Sequence, residues 1–444
     1  MSVDIKPRER DAILKSLRAG VVPRIGLRHL LVGRAPEIQA VNDDLEQIEA
    51  GGATVRFIIG RYGAGKSFFL NFMRVLALEK KFVVASADVT TERRLQGSGG
   101  TARALYAELM SNLATRQRHE GGAITNIVER WIADATHEIH AAGGGDAETA
   151  KEIANRLKPL QDLVSGYDFA TVITQYLKGF QTSNSALMDN ALRWLKGEYQ
   201  SKTDAKKDLG VRTIIEDTQV YDYLKLIAGF VRLAGFAGLL VNIDEMGVLA
   251  LRLNNAQSRN ANYEAILRIL NDCLQGSASG IGFLFGGTGE FLEDNRRGMA
   301  SYQALASRLA QNRFVGQDLV DYSGPVIKLS NLEHEHMLVL LRNVRAVFEA
   351  NRKDRPILDD EGLEAFMNHC SATLGANFFQ TPRDSIKGFT DLLFILDQNP
   401  HKTWRDLLSQ TPLTRTQNPD LLPVADEETT DENEKDVNLA DFKL

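Results

Sequence analysis

The sequence predicts an α/β fold in which a parallel β-sheet core is joined to a helical insertion and a C-terminal helical lid. Two observations lead to this prediction. Short apolar runs at 54–60, 82–89, 236–245 and 280–290 alternate with amphipathic helical patterns, as in parallel sheets whose strands are connected by helices. The first run also leads through a glycine-rich loop directly into a helical pattern, which is typical of cores that bind phosphate groups.

The bulk composition is that of an ordinary globular protein, and we expect no membrane partner. The 444 residues are 43% hydrophobic and 25% charged, and no apolar run reaches the roughly 18 to 20 residues of a membrane helix. The first residues carry both charge signs and do not form a secretory signal, so we expect a cytoplasmic protein. The two cysteines, Cys273 and Cys370, are too few for a disulfide framework.

The net charge of -6 is concentrated at the C-terminal end of the chain. Residues 416–444 contain nine acidic residues and two lysines, so this segment carries -7 and residues 1–415 carry +1. Nucleic-acid binding needs a local basic surface rather than a basic total. The charge therefore neither supports nor excludes a DNA partner.

We expect five regions along the chain. Amphipathic patterns outside the strand runs indicate helices, and an acidic end with few apolar residues is typical of disorder. The predicted regions are N-terminal helices with the first part of the core (1–100), a helical insertion (101–215), the second part of the core (216–331), a helical lid (332–412) and a disordered acidic tail (413–444).

The loop after the first strand run matches the phosphate-binding pattern G-x-x-x-x-G-K-[ST]. Gly60, Gly65, Lys66 and Ser67 occupy its fixed positions between a strand and a helix. Such a loop holds phosphates with backbone N–H groups, while its lysine contacts the β- and γ-phosphates and its hydroxyl binds Mg²⁺. We therefore expect ATP and Mg²⁺ as cofactors; the alternative is a glycine turn with a chance Lys-Ser pair. The other residues expected to contact the nucleotide here are Arg61, Tyr62, Gly63, Ala64 and Phe68.

Two later strand runs end in side chains suited to phosphoryl transfer. Asp244 and Glu245 end the run at 236–245, where the aspartate would hold Mg²⁺ through water and the glutamate would act on the attacking water as general base. Thr288 ends the next run, where a γ-phosphate sensor is expected. The alternatives are solvated acids and a turn threonine. Together with the phosphate loop, this order of motifs predicts a P-loop NTPase of the ASCE type.

Three arginines are candidates for completing the site. Arg308 and Arg313 follow the sensor strand, where ring-forming ATPases present an arginine finger to a neighbouring subunit. Arg383 follows Pro382 at the start of a helix in the lid, a position from which a second sensor would fold back onto the nucleotide. Ordinary surface arginines are the alternative in each case.

The motifs together resemble those of AAA+ ATPases of the origin-recognition branch, and more closely those of the BrxC-like and BrxD-like ATP-binding proteins of BREX antiphage systems. The resemblance rests on GRYGAGKSFFL, LLVNIDE, FLFGGTGEF, SYQALASRL and TPRDSIKGFTDLL, and it covers 10–98 and 215–400. By this resemblance, Leu31, Val32 and Gly33 line the adenine pocket.

The resemblance also implies a homo-oligomeric ATPase of phage defence that acts with double-stranded DNA and with a partner helicase or nuclease. Two other functions stay open. One is a slow signalling switch whose nucleotide state gates assembly, and the other is a scaffold that keeps ATP as a structural ligand. Glu245 argues against the scaffold, because a site that only binds ATP does not need a general base.

Overall fold

The computed structural model describes residues 5–314, 321–350, 356–374 and 382–408. Within these residues, five strands form one all-parallel sheet: β1 (Ala53–Ile59), β2 (Val83–Asp88), β3 (Leu239–Asp244), β4 (Ile281–Gly287) and β5 (Val326–Lys328). Their order across the sheet is β2-β3-β4-β1-β5. This architecture confirms the predicted α/β fold and is that of a P-loop NTPase core.

The sheet order brings three of the predicted motifs to one edge. β4 lies between β1 and β3, and it pairs with both in parallel register. Because parallel strands end on the same side of a sheet, the glycine loop after β1, Asp244 on β3 and Thr288 after β4 all lie at its carboxyl edge.

Two helices cover the face of the sheet that carries the glycine-loop helix. They are α2 (Ala35–Glu49) and α3 (Lys66–Glu79). Ile48 on α2 and Phe69 and Met73 on α3 are buried against Ile58 of β1, in one apolar cluster. This packing fixes the direction in which α3 leaves the glycine loop.

A helical region separates β2 from β3. Its helices are α4 (Thr101–Ser111), α5 (Ala123–Ala141), α6 (Asp146–Gln161), α7 (Gly166–Gln181), α8 (Ser185–Leu195), α9 (Lys202–Leu209) and α10 (Val220–Leu233). Trp131, Phe169 and Phe230 form edge-to-face aromatic pairs in its interior. Its core is continuous with the second face of the sheet, so the insertion packs onto the sheet core rather than standing apart from it.

The segment from β3 to β5 adds four helices. They are α11 (Gly247–Leu251), α12 (Ala256–Gln275), α13 (Gly289–Glu293) and α14 (Gln303–Arg308). α12 packs on the second face of the sheet, where Cys273 lies 3.7 Å from the carbonyl oxygen of Thr54. The carboxyl end of α12 therefore lies near the amino ends of the strands.

The N-terminal helix packs with the C-terminal helices. α1 (Pro7–Arg18) shares a separate apolar core with α15 (His334–Glu349), α16 (Asp360–Leu374) and α17 (Pro382–Gln398), and α18 (Trp404–Leu408) lies beside them. Ile13 and Leu14 of α1 are buried against residues such as Met337 and Leu393. The lid therefore contains helices from both the N-terminal and the C-terminal ends of the described chain. The predicted disordered tail, 413–444, lies outside the described residues.

Short 3-10 helices complete the described structure at Leu27–His29, Asp217–Gln219 and Met299–Ser301. Across the described ranges, no helix combines the length and apolar character that crossing a bilayer requires.

Candidate functional site

The glycine loop, residues 60–65, depends on two glycines in the left-handed region. Gly63 has φ +78° and Gly65 has φ +90°, conformations that residues with a Cβ atom seldom adopt. Gly65 immediately precedes α3, so the loop ends at the helix N-terminus. Such an end carries unpaired N–H groups and a partial positive charge, which together attract anions.

Lys66 folds back onto the loop that precedes it. Its ammonium group donates a hydrogen bond of 3.0 Å to the carbonyl oxygen of Arg61. Burial lowers the pKa of Lys66, while the nearby charges of Asp244, Glu245 and Glu290 act in the opposite direction. The three carboxylates thus favour the charged form of the Lys66 ammonium group, against the effect of burial.

Ser67 and Asp244 meet although 177 residues separate them. The Ser67 hydroxyl donates a hydrogen bond of 2.6 Å to Oδ2 of Asp244. A Cβ atom on Gly286 would lie 2.3 Å from Oδ1 of the same carboxylate, so only glycine at that position of β4 leaves it room. The contact joins the glycine-loop helix to β3.

These two side chains fit Mg²⁺. A hydroxyl and a carboxylate oxygen are the hard ligands that Mg²⁺ prefers, and it usually takes only one or two carboxylates from a protein and completes its shell with phosphates and water. Among the described residues, no group of three or more His, Cys, Asp or Glu side chains is arranged to hold a metal. Ser67 and Asp244 thus suit a metal that arrives with a phosphate ligand.

Glu245 follows Asp244 in a strained backbone conformation. Its φ of +57° lies in the left-handed region, although it is not a glycine. The Glu245 N–H donates 2.8 Å to Oδ1 of Asp244, and the next N–H, of Met246, donates 2.9 Å to the carbonyl oxygen of Gly286. The turn directs the chain away from the sheet at the edge where Glu245 borders the cavity described below.

Thr288 contributes a buried hydroxyl at the same edge. The residue is 5% exposed, and its Oγ1 has no hydrogen-bond partner among the described residues. Buried polar atoms are nearly always paired, so an unpaired one requires an explanation. A ligand oxygen beyond the end of β4 would supply the partner.

A cavity of about 370 Å³ opens between the glycine loop, the lid and the segment after α1. Its volume is in the range of small-molecule sites. Its lining combines apolar side chains with the charged residues Lys66 and Glu245. The predicted site residues that line it are Leu31, Val32, Tyr62, Gly63, Ala64, Gly65, Lys66, Ser67, Phe68, Glu245 and Arg383.

The other predicted site residues lie outside the lining. Gly60 and Arg61 belong to the same loop, and Asp244 reaches the cavity through Ser67. Gly33 faces His336 of α15, because a Cβ atom there would lie 3.5 Å from that ring.

Arg383 reaches the glycine loop from the lid. Its Nη1 donates a hydrogen bond to the Tyr62 hydroxyl, and its guanidinium carbon lies 5.3 Å from the centre of the Tyr62 ring. The two residues are 321 positions apart in the chain. The lid and the glycine loop therefore touch through this pair.

Arg308 and Arg313 are exposed and do not line the cavity. Arg308 donates 2.7 Å to Asn271 near the carboxyl end of α12 and 2.9 Å to the carbonyl oxygen of Ala304. That end of α12 lies near the amino ends of the strands, whereas Lys66 lies at the carboxyl edge of the sheet. Neither arginine is brought to the site of its own chain.

Sequence analysis missed Arg34, which borders the cavity. Its guanidinium bonds to Glu37 and Ser330 at 3.3 Å and to the carbonyl oxygen of Ala64 in the loop at 3.5 Å. The side chains of Arg34 and Glu37 are only 10% and 5% exposed. The sequence did offer a signal for this residue: Arg34 directly precedes a helix with a proline in its first turn, and Glu37 follows three residues later.

Asp88 was also missed. It ends β2 directly opposite Asp244 in the parallel register. Burial and the neighbouring Asp244 raise the pKa of the Asp88 carboxyl, while Arg93 lowers it. The available signal was an acid at a strand end, the same signal that identified Asp244.

Comparisons with known proteins bear on this site. The family model for the BREX system ATP-binding protein BrxC/D matches residues 5–412. Comparisons with curated proteins and with solved structures found no match. The matched range contains the glycine loop, the strand ends, the insertion and the lid, and it confirms the resemblance inferred from the sequence. The chain belongs to the BREX system ATP-binding protein BrxC/D family.

Proposed function

We propose that the chain binds ATP with Mg²⁺ in the cavity and hydrolyses it to ADP and phosphate. The proposal rests chiefly on the Ser67–Asp244 hydrogen bond, which joins the end of the glycine loop to the acidic strand end. Lys66 and Glu245 border the same cavity. Phosphoryl transfer needs a loop that binds the phosphates, side chains that hold the metal, and a carboxylate that acts on the attacking water.

Each residue has a distinct part in this proposal. The backbone N–H groups of the loop and Lys66 bind the phosphates, and Ser67 and Asp244 would hold Mg²⁺. Bound Mg²⁺ would neutralise charge on the phosphate oxygens. Glu245 orients the attacking water and accepts its proton, and the Thr288 hydroxyl, which has no partner among the described residues, donates to the γ-phosphate.

The apolar part of the cavity lining suits the adenine ring. Leu31 and Val32 line it together with Leu340 of α15 and Ile386 of α17. A planar base between aliphatic side chains removes apolar surface from water, which favours binding. Gly33, beside this wall, allows the close approach of His336.

The wider task is proposed from family membership. We infer a cytoplasmic homo-oligomer of a BREX defence system that uses ATP to act on double-stranded DNA, with a helicase or nuclease as partner. The slow signalling switch and the scaffold with structural ATP are the competing functions.

Turnover measurements test the enzyme proposal. Lys66→Ala should lose ATP binding, and Glu245→Gln should keep it while turnover falls by about 10² or more, the usual scale of a positioned general base. Glu79→Gln, an exposed acid on α3, is the matched control and should turn over like the parent. Parent-like turnover of Glu245→Gln would place the base elsewhere.

Duplex DNA separates the three functions. Stimulation of turnover by DNA supports the DNA-directed enzyme. Slow turnover that ignores DNA, with assembly that follows the nucleotide state, supports the switch. ATP binding without any turnover supports the scaffold.

A further inference from the structure

Arg383 has an unusual electrostatic setting. It lies in the first turn of α17, next to Pro382, where the helix end carries partial positive charge and a cation is unfavourable. The side chain is half-buried and borders the same cavity as Lys66. Neither helix stability nor solvation explains a guanidinium at this position.

The Arg383 guanidinium keeps most of its donors available. In the described part of the chain, its one hydrogen bond goes to the neutral Tyr62 hydroxyl, and no carboxylate forms an ion pair with it. A guanidinium has five N–H donors. The remaining donors, together with Lys66 and the end of α17, make this side of the cavity suited to an anion.

Two contacts hold the guanidinium in place. The Tyr62 ring lies under it at 5.3 Å, a cation–π distance, and the Tyr62 hydroxyl accepts from Nη1. On another side, a Cβ atom on Gly20 would lie 3.3 Å from Nε of Arg383, and Gly20 has φ +69°. The lid, the glycine loop and the turn after α1 thus converge on one side chain.

We propose that Tyr62 is a positioning residue that holds Arg383 over the glycine loop, so that the arginine meets the γ-phosphate of ATP with its free donors. The inference rests on the proposed function, in which the cavity binds ATP. Tyr62 acts through Arg383 and not on the phosphate. The opposite role, in which Tyr62 competes with the phosphate for Arg383, predicts effects of the opposite sign.

Equilibrium binding tests the proposal. A fluorescent non-hydrolysable ATP analogue and fluorescent ADP are titrated by anisotropy against the full-length parent, Tyr62→Ala, Tyr62→Phe, Arg383→Ala and the Tyr62→Ala/Arg383→Ala double variant. Tyr62→Ala should weaken binding of the ATP analogue about tenfold, the scale of a partly desolvated cation–π contact with a hydrogen bond. Tyr62→Phe keeps the ring and should lose only about threefold.

Two measurements distinguish a positioning role of Tyr62 from a purely structural one. They are the affinity for ADP and the effect of Tyr62→Ala in the Arg383→Ala background. ADP lacks the γ-phosphate, so its affinity should change less than about twofold in every one of these variants. In the Arg383→Ala background, Tyr62→Ala should cause no further loss, since the residue it positions is gone. Lys387→Ala, an exposed cation on the same helix, is the control and should bind like the parent.

Three results overturn the inference. Tighter binding of the ATP analogue by Tyr62→Ala shows competition instead of positioning. An undiminished loss in the Arg383→Ala background shows that Tyr62 acts independently. Equal losses for ADP and the ATP analogue place Tyr62 against the rest of the nucleotide. Failure of the proposed function is distinct: the parent itself then binds neither nucleotide, and the inference falls with it.

Discussion

Glu245 shows how one residue concentrates strain at the site. A non-glycine residue in the left-handed region costs about 1–3 kcal/mol and persists only where its surroundings enforce it. Three N–H donors supply the enforcing contacts: Glu245 N–H donates to the Asp244 carboxylate, Met246 N–H to the Gly286 carbonyl oxygen, and Val248 N–H to the Glu245 carbonyl oxygen at 3.0 Å. Because of this turn, two adjacent residues make different contacts: Asp244 accepts a hydrogen bond from Ser67, and Glu245 lines the cavity.

Gly286 gives a prediction at the residue scale. Gly286→Ala places a Cβ atom 2.3 Å from Asp244 Oδ1 and 2.7 Å from Leu70, so the carboxylate must move from Ser67. We expect a loss of about 1–3 kcal/mol in stability, the usual cost of overpacking. We also expect ATP turnover to require a higher Mg²⁺ concentration, measured by titrating Mg²⁺ at saturating ATP.

Gly324→Ala is the matched control for that substitution. An added Cβ atom at Gly324 has no heavy atom within 4 Å, so its melting temperature and Mg²⁺ requirement should equal those of the parent. If Gly286→Ala needs no more Mg²⁺ than this control, the position of Asp244 does not depend on the glycine.

The residues found from the sequence and those missed differ in how far their contacts reach. Lys66 and Ser67 lie in a pattern of eight consecutive residues, and Asp244 ends an apolar run, so local chemistry identifies them. The Arg383–Tyr62 contact spans 321 positions, and Arg34 reaches the loop only because α2 packs beside it. Side-chain contacts of this kind depend on tertiary packing, which no local pattern encodes.

At the scale of elements, α1 belongs to the lid. The helical spacing of its apolar residues predicts a buried face but does not say what covers it. In the structure, Ile13 and Leu14 pack with α15 and α17, and Leu17 lines the cavity. The strand order likewise depends on pairing between distant segments, whereas the existence of β1 to β4 followed from their apolar runs.

Ile13 gives a prediction at this scale. Its side chain is fully buried, so Ile13→Ala should destabilise the protein by about 2–5 kcal/mol through lost contacts and a cavity. Because α1 carries Leu17, ATP affinity should fall as well. Thermal unfolding and nucleotide anisotropy measure the two effects, with the exposed Lys15→Ala of the same helix as control. Unchanged ATP affinity together with a lower melting temperature would show that α1 stabilises the fold without contributing to ATP binding.

At the scale of the whole molecule, Arg308 can serve as an arginine finger only if it acts on the site of a second copy of the chain. It bonds to Asn271 near the amino ends of the strands, whereas Lys66 lies at the carboxyl edge. A side chain cannot span that distance within one chain. Arg313 follows on the same exposed segment and is the second choice.

Mixed assemblies test this prediction. Lys66→Ala lacks a working cradle and Arg308→Ala lacks the finger, so each alone should be inactive. An equal mixture should recover part of the turnover, because some interfaces pair an intact cradle with an intact finger. Arg130→Ala, an exposed arginine of α5, should remain active alone. Full turnover by a protein that light scattering finds monomeric with ATP contradicts the prediction.

The packing of α1 against α17 also governs when the cavity arises during synthesis. A ribosome completes α17 roughly 380 residues after α1, which at 5–20 residues per second is a delay of roughly 20 to 80 s. Until α15 begins at His334, late in that interval, the apolar face of α1, with Ile13 and Leu14, has none of its native lid partners. The nascent chain therefore completes its glycine loop early and the α15 and α17 side of the cavity last, and until then the apolar face of α1 is available to chaperones.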